Sequence, residues 1–284
     1  MTPRTAIGRH VAGTLQLLLS TWYVLPMIPL VLWAMARTWP APLVLPSQWG
    51  PAGLTEALND DATSAFAASL MLATLTAVLA TPAGAMAAFA LTFGRLRGHR
   101  ALSVLLLAPA FVPPFVIVMG INVTLLRLHI PSMMGIVLVL IVTAIPYTTF
   151  VMRSALASYE IGFEDEARTL GASPRAVLVR IRIPMLAPAI ATSAFLAFLV
   201  GWSDYVVTLL IGGGEIVSVP MRIAAGASGT GNDAMVAALS IAAAAPPLLL
   251  LLALSRLSQT PRRRELRASS SAQGKQRTVI GVLT

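Results

Sequence analysis

Residues 159–184 read YEIGFEDEARTLGASPRAVLVRIRIP. Tyr159, Phe163, Ala167 and Leu170 recur at spacings of four, four and three, which places them on one apolar stripe of a helix. Glu160, Glu164, Asp165 and Arg168 then fall elsewhere on its surface, and Glu164 with Arg168, four apart, adds about 0.3 kcal/mol of helix support. Gly171 terminates this helix after its last apolar position. Ser173 caps, and Pro174 opens, a second short helix, and residues 176–181 lead to Pro184, where a bend is expected. The segment is an elbow of two helices, with an apolar stripe that requires a partner. That partner is either the rest of the chain or another protein.

The elbow is bounded by sequence of a different kind. Charge-free runs occupy residues 11–36, 62–94, 101–126, 128–152, 183–203 and 234–255. Each exceeds the roughly 20 residues that a helix rising 1.5 Å per residue needs to cross a ~30 Å hydrocarbon layer. The whole chain of 284 residues is 57% hydrophobic and 11% charged, against about 25% charged in soluble domains. An ordinary soluble domain is excluded, and six transmembrane helices are expected.

The net charge of +9 invites a nucleic-acid reading until the basic residues are placed. With six crossings, seventeen of the twenty lie in the N-terminal segment, the loops after the second and fourth spans and the C-terminal tail; Arg37, Arg127 and Arg222 lie opposite. By the positive-inside rule, both termini and the elbow are expected in the cytoplasm, so basicity describes topology and no nucleic-acid partner is expected. The absence of cysteine removes disulfides, thiolate metal sites and cysteine nucleophiles. The first span follows Arg4 and Arg9 as a signal peptide would, but it is too long for an h-region and contains Pro26 and Pro29, so a retained helix is expected.

The loop 37–61 is rich in proline and tryptophan, suited to an interfacial belt, with a short surface element near 54–60. Ser69, Ala73, Ala77 and Gly84 give the second span small residues for close helix approach. Pro109, Pro113 and Pro114 interrupt the third span, which leaves two readings open: a discontinuous helix lining a transport path, or a structural kink. Asp204 stands at the extracytoplasmic end of the fifth span, where it is either a solvated helix end or a residue of the path or its gate. The glycines between 212 and 231 read as turn residues. The tail 256–284 has the composition of a disordered end, with an Arg262–Arg264 cluster able to touch anionic lipid. No GxxxxGK[ST] stretch occurs, His10, His99 and His129 are dispersed, and no nucleophile and base pair stands in the spans. Catalytic residues, metal sites and cofactors are therefore not expected. A self-contained secondary transporter or channel is the alternative class, but it calls for more buried ionisable residues than these spans carry.

The stretch DEARTLGASPRAVLVRIRIPMLAP, Asp165 to Pro188, resembles the EAA loop of the permease subunits of bacterial binding-protein-dependent ABC importers. That pattern is EAA, three residues, Gly, nine residues, Ile, one residue, Leu-Pro. Asp165 takes the place of Glu and Glu166 that of the first Ala. Ala167, Gly171, Ile181 and Pro184 match, and Ile183 replaces Leu. The resemblance implies an all-α membrane protein with a MetI-like permease core over 62–255, preceded by residues 1–61 and followed by the tail. It implies that Tyr159, Phe163, Glu164, Asp165, Glu166, Ala167, Leu170, Gly171, Ile181, Ile183 and Pro184 form the loop whose first helix couples to a cytoplasmic ATP-binding subunit. A second permease subunit and an extracytoplasmic solute-binding protein are further implied partners, with the bacterial inner membrane as location. Asp204, Pro113 and Pro114 become candidates for the transport path or gate. The stretch GWSDYVVTLLIGGG before VSVPMRIAAG is similar to the polyamine, thiamine and iron branch, which implies a small, polyamine-like solute.

Overall fold

The computed structural model describes residues 4–40, 42–58, 60–94, 98–229, 231 and 233–256. Among the described residues, four helices are long and apolar enough to cross a bilayer, α4 (Asp60–Phe93), α7 (Ser132–Ala157), the helix Pro174–Trp202 that ends in α10 (Ile183–Trp202), and α13 (Asp233–Arg256). Two bent pairs bring the number to six when each counts as one span. In the first, α1 (Arg4–Val24) and α2 (Met27–Ala34) meet at 40° across Leu25 and Pro26.

In the second, α5 (His99–Leu107), with a 3₁₀ turn at Ala108–Ala110, meets α6 (Pro114–Arg127) at 98°. The prolines explain the break. A residue preceding proline is pushed out of the helical region, which applies to both Val112 and Pro113, and Pro113 is extended at φ −54°, ψ 133°. Pro114 then opens α6, where its missing N–H would have had no intrahelical partner. The third charge-free run is thus two helices at nearly a right angle.

Other expectations are corrected. The proline-rich loop contains a small antiparallel hairpin, β1 (Ala36–Thr38) with β2 (Gln48–Trp49), pairing Ala36 with Trp49. There Trp39 packs on Trp33 at 4.6 Å and donates its indole N–H to the Leu43 carbonyl at 2.8 Å. The short surface element is α3 (Ala52–Ala57). The glycine-rich region holds two helices, α11 (Val206–Gly212) and α12 (Val219–Ser228), with Gly213, Gly214 and Gly231 at positive φ in the turns. The helix is not interrupted at Pro184. From α9 (Pro174–Val177) the chain continues through a π turn at Leu178–Arg182 into α10, because the wider turn makes room for a proline ring that would clash with the carbonyl four residues before it. Of the tail, only Arg256 lies within the described residues.

The chain divides into two compact units. The first comprises Met1–Ala68 and Val217–Ala245. Its core contains Ala57, Ala62, Ala238 and Leu239, with Ala34, Phe66 and Ile223 against them, and Arg222 pairs with Asp61 at 3.2 Å. The second comprises Ser69–Ile216 and the described residues from Pro246. There α10 lies along α7, and α11 packs on both α6 and α7, around Leu72, Val118, Leu125, Ile136, Leu140 and Val207.

Helix contact in the second unit depends on small residues. Ala80, Ala144 and Ala197 meet in one buried cluster, and a Cβ at Gly84 would collide with the Thr148 side chain. A Cβ at Gly201 would lie 2.7 Å from the Ala73 Cα, whereas one at Gly120 would meet nothing within 4 Å. Overpacking a close contact of this kind costs about 1–3 kcal/mol. Gly201→Ala is expected to lower the midpoint of thermal unfolding in detergent by that measure, and Gly120→Ala to match or exceed the parent.

Candidate functional site

The elbow follows α7. Residues 158–161 turn the chain into α8 (Gly162–Thr169), which ends in a Schellman motif. Gly171, at φ 84°, donates its N–H to the Arg168 carbonyl at 3.0 Å, and Ala172 donates to that of Ala167 at 2.9 Å. Ser173 accepts the Ala176 N–H at 3.3 Å and caps α9, with Pro174 at its first position. The punctuation expected from Gly171, Ser173 and Pro174 is present residue for residue.

Of the two partners open to the apolar edge of α8, the chain's own core is not the one it meets at Phe163 and Leu170. Glu164 is only 2% exposed, whereas Phe163 is 48% and Leu170 88% exposed. Tyr159 lies in the turn before α8 rather than on its stripe, and Ala167 is half-buried. The buried carboxylate accounts for this orientation, because it has found partners inside. Arg182 donates Nε–H to Oε1 at 2.7 Å and Nη2–H to Oε2 at 2.6 Å, the bidentate fork that carboxylates bind best. The Tyr159 hydroxyl donates to Oε1 at 2.7 Å and Arg168 to Oε2 at 3.2 Å. The Arg182 guanidinium lies 4.3 Å above the Phe89 ring of α4, within cation–π range.

Among the other loop residues, Asp165 and Glu166 are exposed, and Asp165 reaches Arg168 at 3.7 Å. Phe163, Ile181 and Pro184 come together with Arg180 and Met185 around an open hollow of about 450 Å³, while Ile183 is exposed elsewhere. The residue that sequence reasoning passed over is Arg182, counted there only as a charge that sets topology. Its signal was its setting, a lone arginine between Ile181 and Ile183.

A second candidate lies where α10 ends. Asp204 sits in the turn between α10 and α11 and caps α11. One carboxylate oxygen accepts the Val207 N–H at 3.2 Å, and the other accepts the Thr208 N–H and hydroxyl, each at 2.8 Å. It lines a cavity of about 320 Å³ with Pro109, Pro114, Thr143, Tyr147 and Tyr205. Thr143 and Tyr147 belong to the middle of α7, and Asp204, just past the end of α10, is half-buried. The cavity brings Asp204 and Pro114 together; Pro113, the residue capping α6, is not among its lining. Among the described residues, no three His, Cys, Asp or Glu side chains gather as a metal site would require.

The Arg182 fork holds the Glu164 carboxyl below its usual value against the opposing effect of burial. Burial, and next the bond to Glu164, push the Tyr159 hydroxyl up to about 12. A depressed carboxyl contributes stability above its unfolded value and loses it as pH falls through the folded one. Glu164→Gln leaves Arg182 without a counter-charge, a loss of about 3 kcal/mol near pH 7, at the low end for buried pairs because Arg182 keeps 23% side-chain exposure. Thermal unfolding in detergent from pH 7 down to 3 should show this deficit shrinking as the parent's own carboxylate protonates. A deficit independent of pH over that range would refute the charge argument.

Comparison with known proteins places these features. Residues 80–264 match the family described as binding-protein-dependent transport system inner membrane component. The chain is 30% identical over 186 residues to the putrescine transport system permease protein PotI of Escherichia coli, covering 62% of this chain and 66% of PotI. It is 31% identical over 168 residues to the spermidine/putrescine transport system permease protein PotC of Haemophilus influenzae, covering 58% and 65%. The match thus spans just under two thirds of these relatives' own length. Among solved structures, a bacterial ABC transporter involved in import of the acidic polysaccharide alginate superposes with a TM-score of 0.67 at 16% identity, covering 90% of this chain and 98% of that one. The MetNI methionine ABC transporter superposes at 0.57 and 15% identity, covering 72% and 99%. At such identities these structures speak for the fold alone, which is that of MetI-like permeases. With the match running from the middle of α4 past the end of α13, the chain belongs to the family of binding-protein-dependent transport system inner membrane components.

Proposed function

We propose that the chain is a transmembrane permease subunit of an ABC importer and that α8 is its coupling helix, seated in a cytoplasmic ATP-binding subunit. The observation that carries this reading is the outward placement of Phe163 and Leu170 at a helix anchored from inside by one buried carboxylate, that of Glu164. Exposed apolar side chains on a fixed element are what a docking surface requires, and the excess of basic residues flanking the elbow supports a cytoplasmic position. A second permease subunit, the same chain or a related one, completes the path over the core 62–255. An extracytoplasmic binding protein delivers the solute. ATP and the loaded binding protein then shift inward-open and outward-open populations only as far as they bind one form more tightly.

The solute we propose is a small amine of the polyamine class. Two relatives bear the names of putrescine and spermidine/putrescine permeases, and the Asp204 cavity has the chemistry to meet an ammonium group. A carboxylate offers about four lone-pair positions, of which the α11 cap occupies three, so one stays open to a cation. Tyr147 and Tyr205, which line the same cavity, are aromatic residues of the kind that also favours cations.

Purification of the chain in mild detergent should recover an ATP-binding subunit. Phe163→Asp should leave the amount in the membrane unchanged and cut that recovery by roughly tenfold or more, since a buried interface anchor carries on the order of 2 kcal/mol; full recovery would remove α8 as the docking element. Separately, Asp204→Asn should depress uptake of radiolabelled putrescine by roughly tenfold, as expected for a lost charge-assisted contact of about 1.5 kcal/mol, with membrane levels preserved. Unchanged uptake would discard the cavity as part of the path.

A further inference from the structure

The chain leaves α8 through Gly171, whose left-handed backbone is followed by the extended Ser173 (ψ 155°) and only four residues of α9. A connection of this kind is a short turn, held locally by the Gly171 and Ala172 N–H bonds to α8 and by the Ser173 cap on α9. Beyond these local bonds, α8 is fastened to the long helix by a side-chain junction. The Glu164 carboxylate receives both prongs of Arg182, from the π turn just before α10, and the Tyr159 hydroxyl from the turn after α7. Arg182 also lies over Phe89 of α4. Tyr159 and Phe89 pack on Met152 of α7 and Leu186 of α10 in one apolar cluster, so this junction ties α8 to three helices at once.

A buried ion pair is a poor device for stability alone, because well-packed apolar residues of similar volume often serve as well or better. Its distinctive property is geometric. Two parallel hydrogen bonds between a planar guanidinium and a planar carboxylate fix direction as well as distance. We propose that Glu164 and Arg182 form a transmission clamp that makes α8 and the α9–α10 helix move as one body, so that a displacement imposed on the Phe163–Leu170 edge reaches the membrane span. Both are positioning residues rather than docking residues. The clamp's role in transport rests on the importer reading above, while its rigidity is a property of this chain alone.

The chain contains no cysteine, which makes spin labelling direct. With labels at Thr169→Cys on α8 and Thr192→Cys on α10, pulsed electron resonance on the full chain purified with its ATP-binding subunit should give one narrow distance. That distance should be unchanged when ATP is trapped with vanadate. Glu164→Gln and Arg182→Lys, the latter keeping the charge but losing the fork, should each broaden the distribution, and Tyr159→Phe should fall between them and the parent. If Glu164→Gln fails to fold, the other two decide. With putrescine as the probe, uptake per ATP hydrolysed should fall roughly tenfold in Arg182→Lys at unchanged recovery of the ATP-binding subunit. Distributions as narrow as the parent's, a parent distance that shifts with nucleotide, or loss of the ATP-binding subunit from Arg182→Lys would each overturn the clamp. If no ATP-binding subunit accompanies the parent, or the parent moves no putrescine, the importer reading or its solute fails, and the nucleotide-free distances still decide the clamp.

Discussion

The close approach of α4, α7 and α10 is the constraint on which the second unit depends. Inside a hydrocarbon layer apolar side chains gain nothing by leaving lipid for protein, so helices associate by fit. Here the fit comes from small residues: Gly84 against Thr148, Gly201 against Ala73, and the alanines 80, 144 and 197 at one level. Two hydroxyls in these contacts donate to nearby carbonyls, Thr76 to Leu72 at 2.7 Å and Thr148 to Ile145 at 2.9 Å. They add polarity without requiring water. The two candidate sites lie at opposite ends of α10, the Glu164 junction beside its first residues and the Asp204 turn after its last, so a single tightly seated helix joins them.

The elbow obeys a different rule. A carboxylate withdrawn from water is tolerated only with full compensation, and Glu164 has it from Arg182, Tyr159 and Arg168. That compensation decides which way α8 faces. Turning the apolar edge inward would expose or orphan the acid, whereas turning the acid inward leaves Phe163 and Leu170 in the open. The arrangement costs the isolated chain an exposed apolar edge and suits a protein that does not act alone.

Much of this was legible in the residues. Six charge-free runs foretold the apolar helices, four of them unbroken and two of them bent pairs, and Gly171, Ser173 and Pro174 marked the elbow because caps and terminators act locally. The three prolines of the third run announced an interruption. Its 98° angle was not readable, since it depends on how α6 packs against α11, far along the chain. Which way α8 faces was left open for a related reason: apolar periodicity does not say whether a stripe meets the chain's own core or another protein, and the residue that decides it, Arg182, stands eighteen positions beyond Glu164. Pro184 misled in the opposite sense. A proline signals a bend when only α geometry is considered, and the π turn supplies another way to accommodate it.

That π turn has a consequence for descent as well as for shape. Successive residues of a helix are about 100° apart, so one residue gained or lost within 178–182 would swing everything before it, α9 and α8 included, by that angle about the axis of α10. The contacts of α10 with α7 would keep their register throughout. A wide turn of this type is thus an indexing joint: a lineage could re-aim the elbow toward a differently shaped neighbour in one step while leaving the bundle's packing intact, provided the arginine that meets Glu164 were re-sited with it.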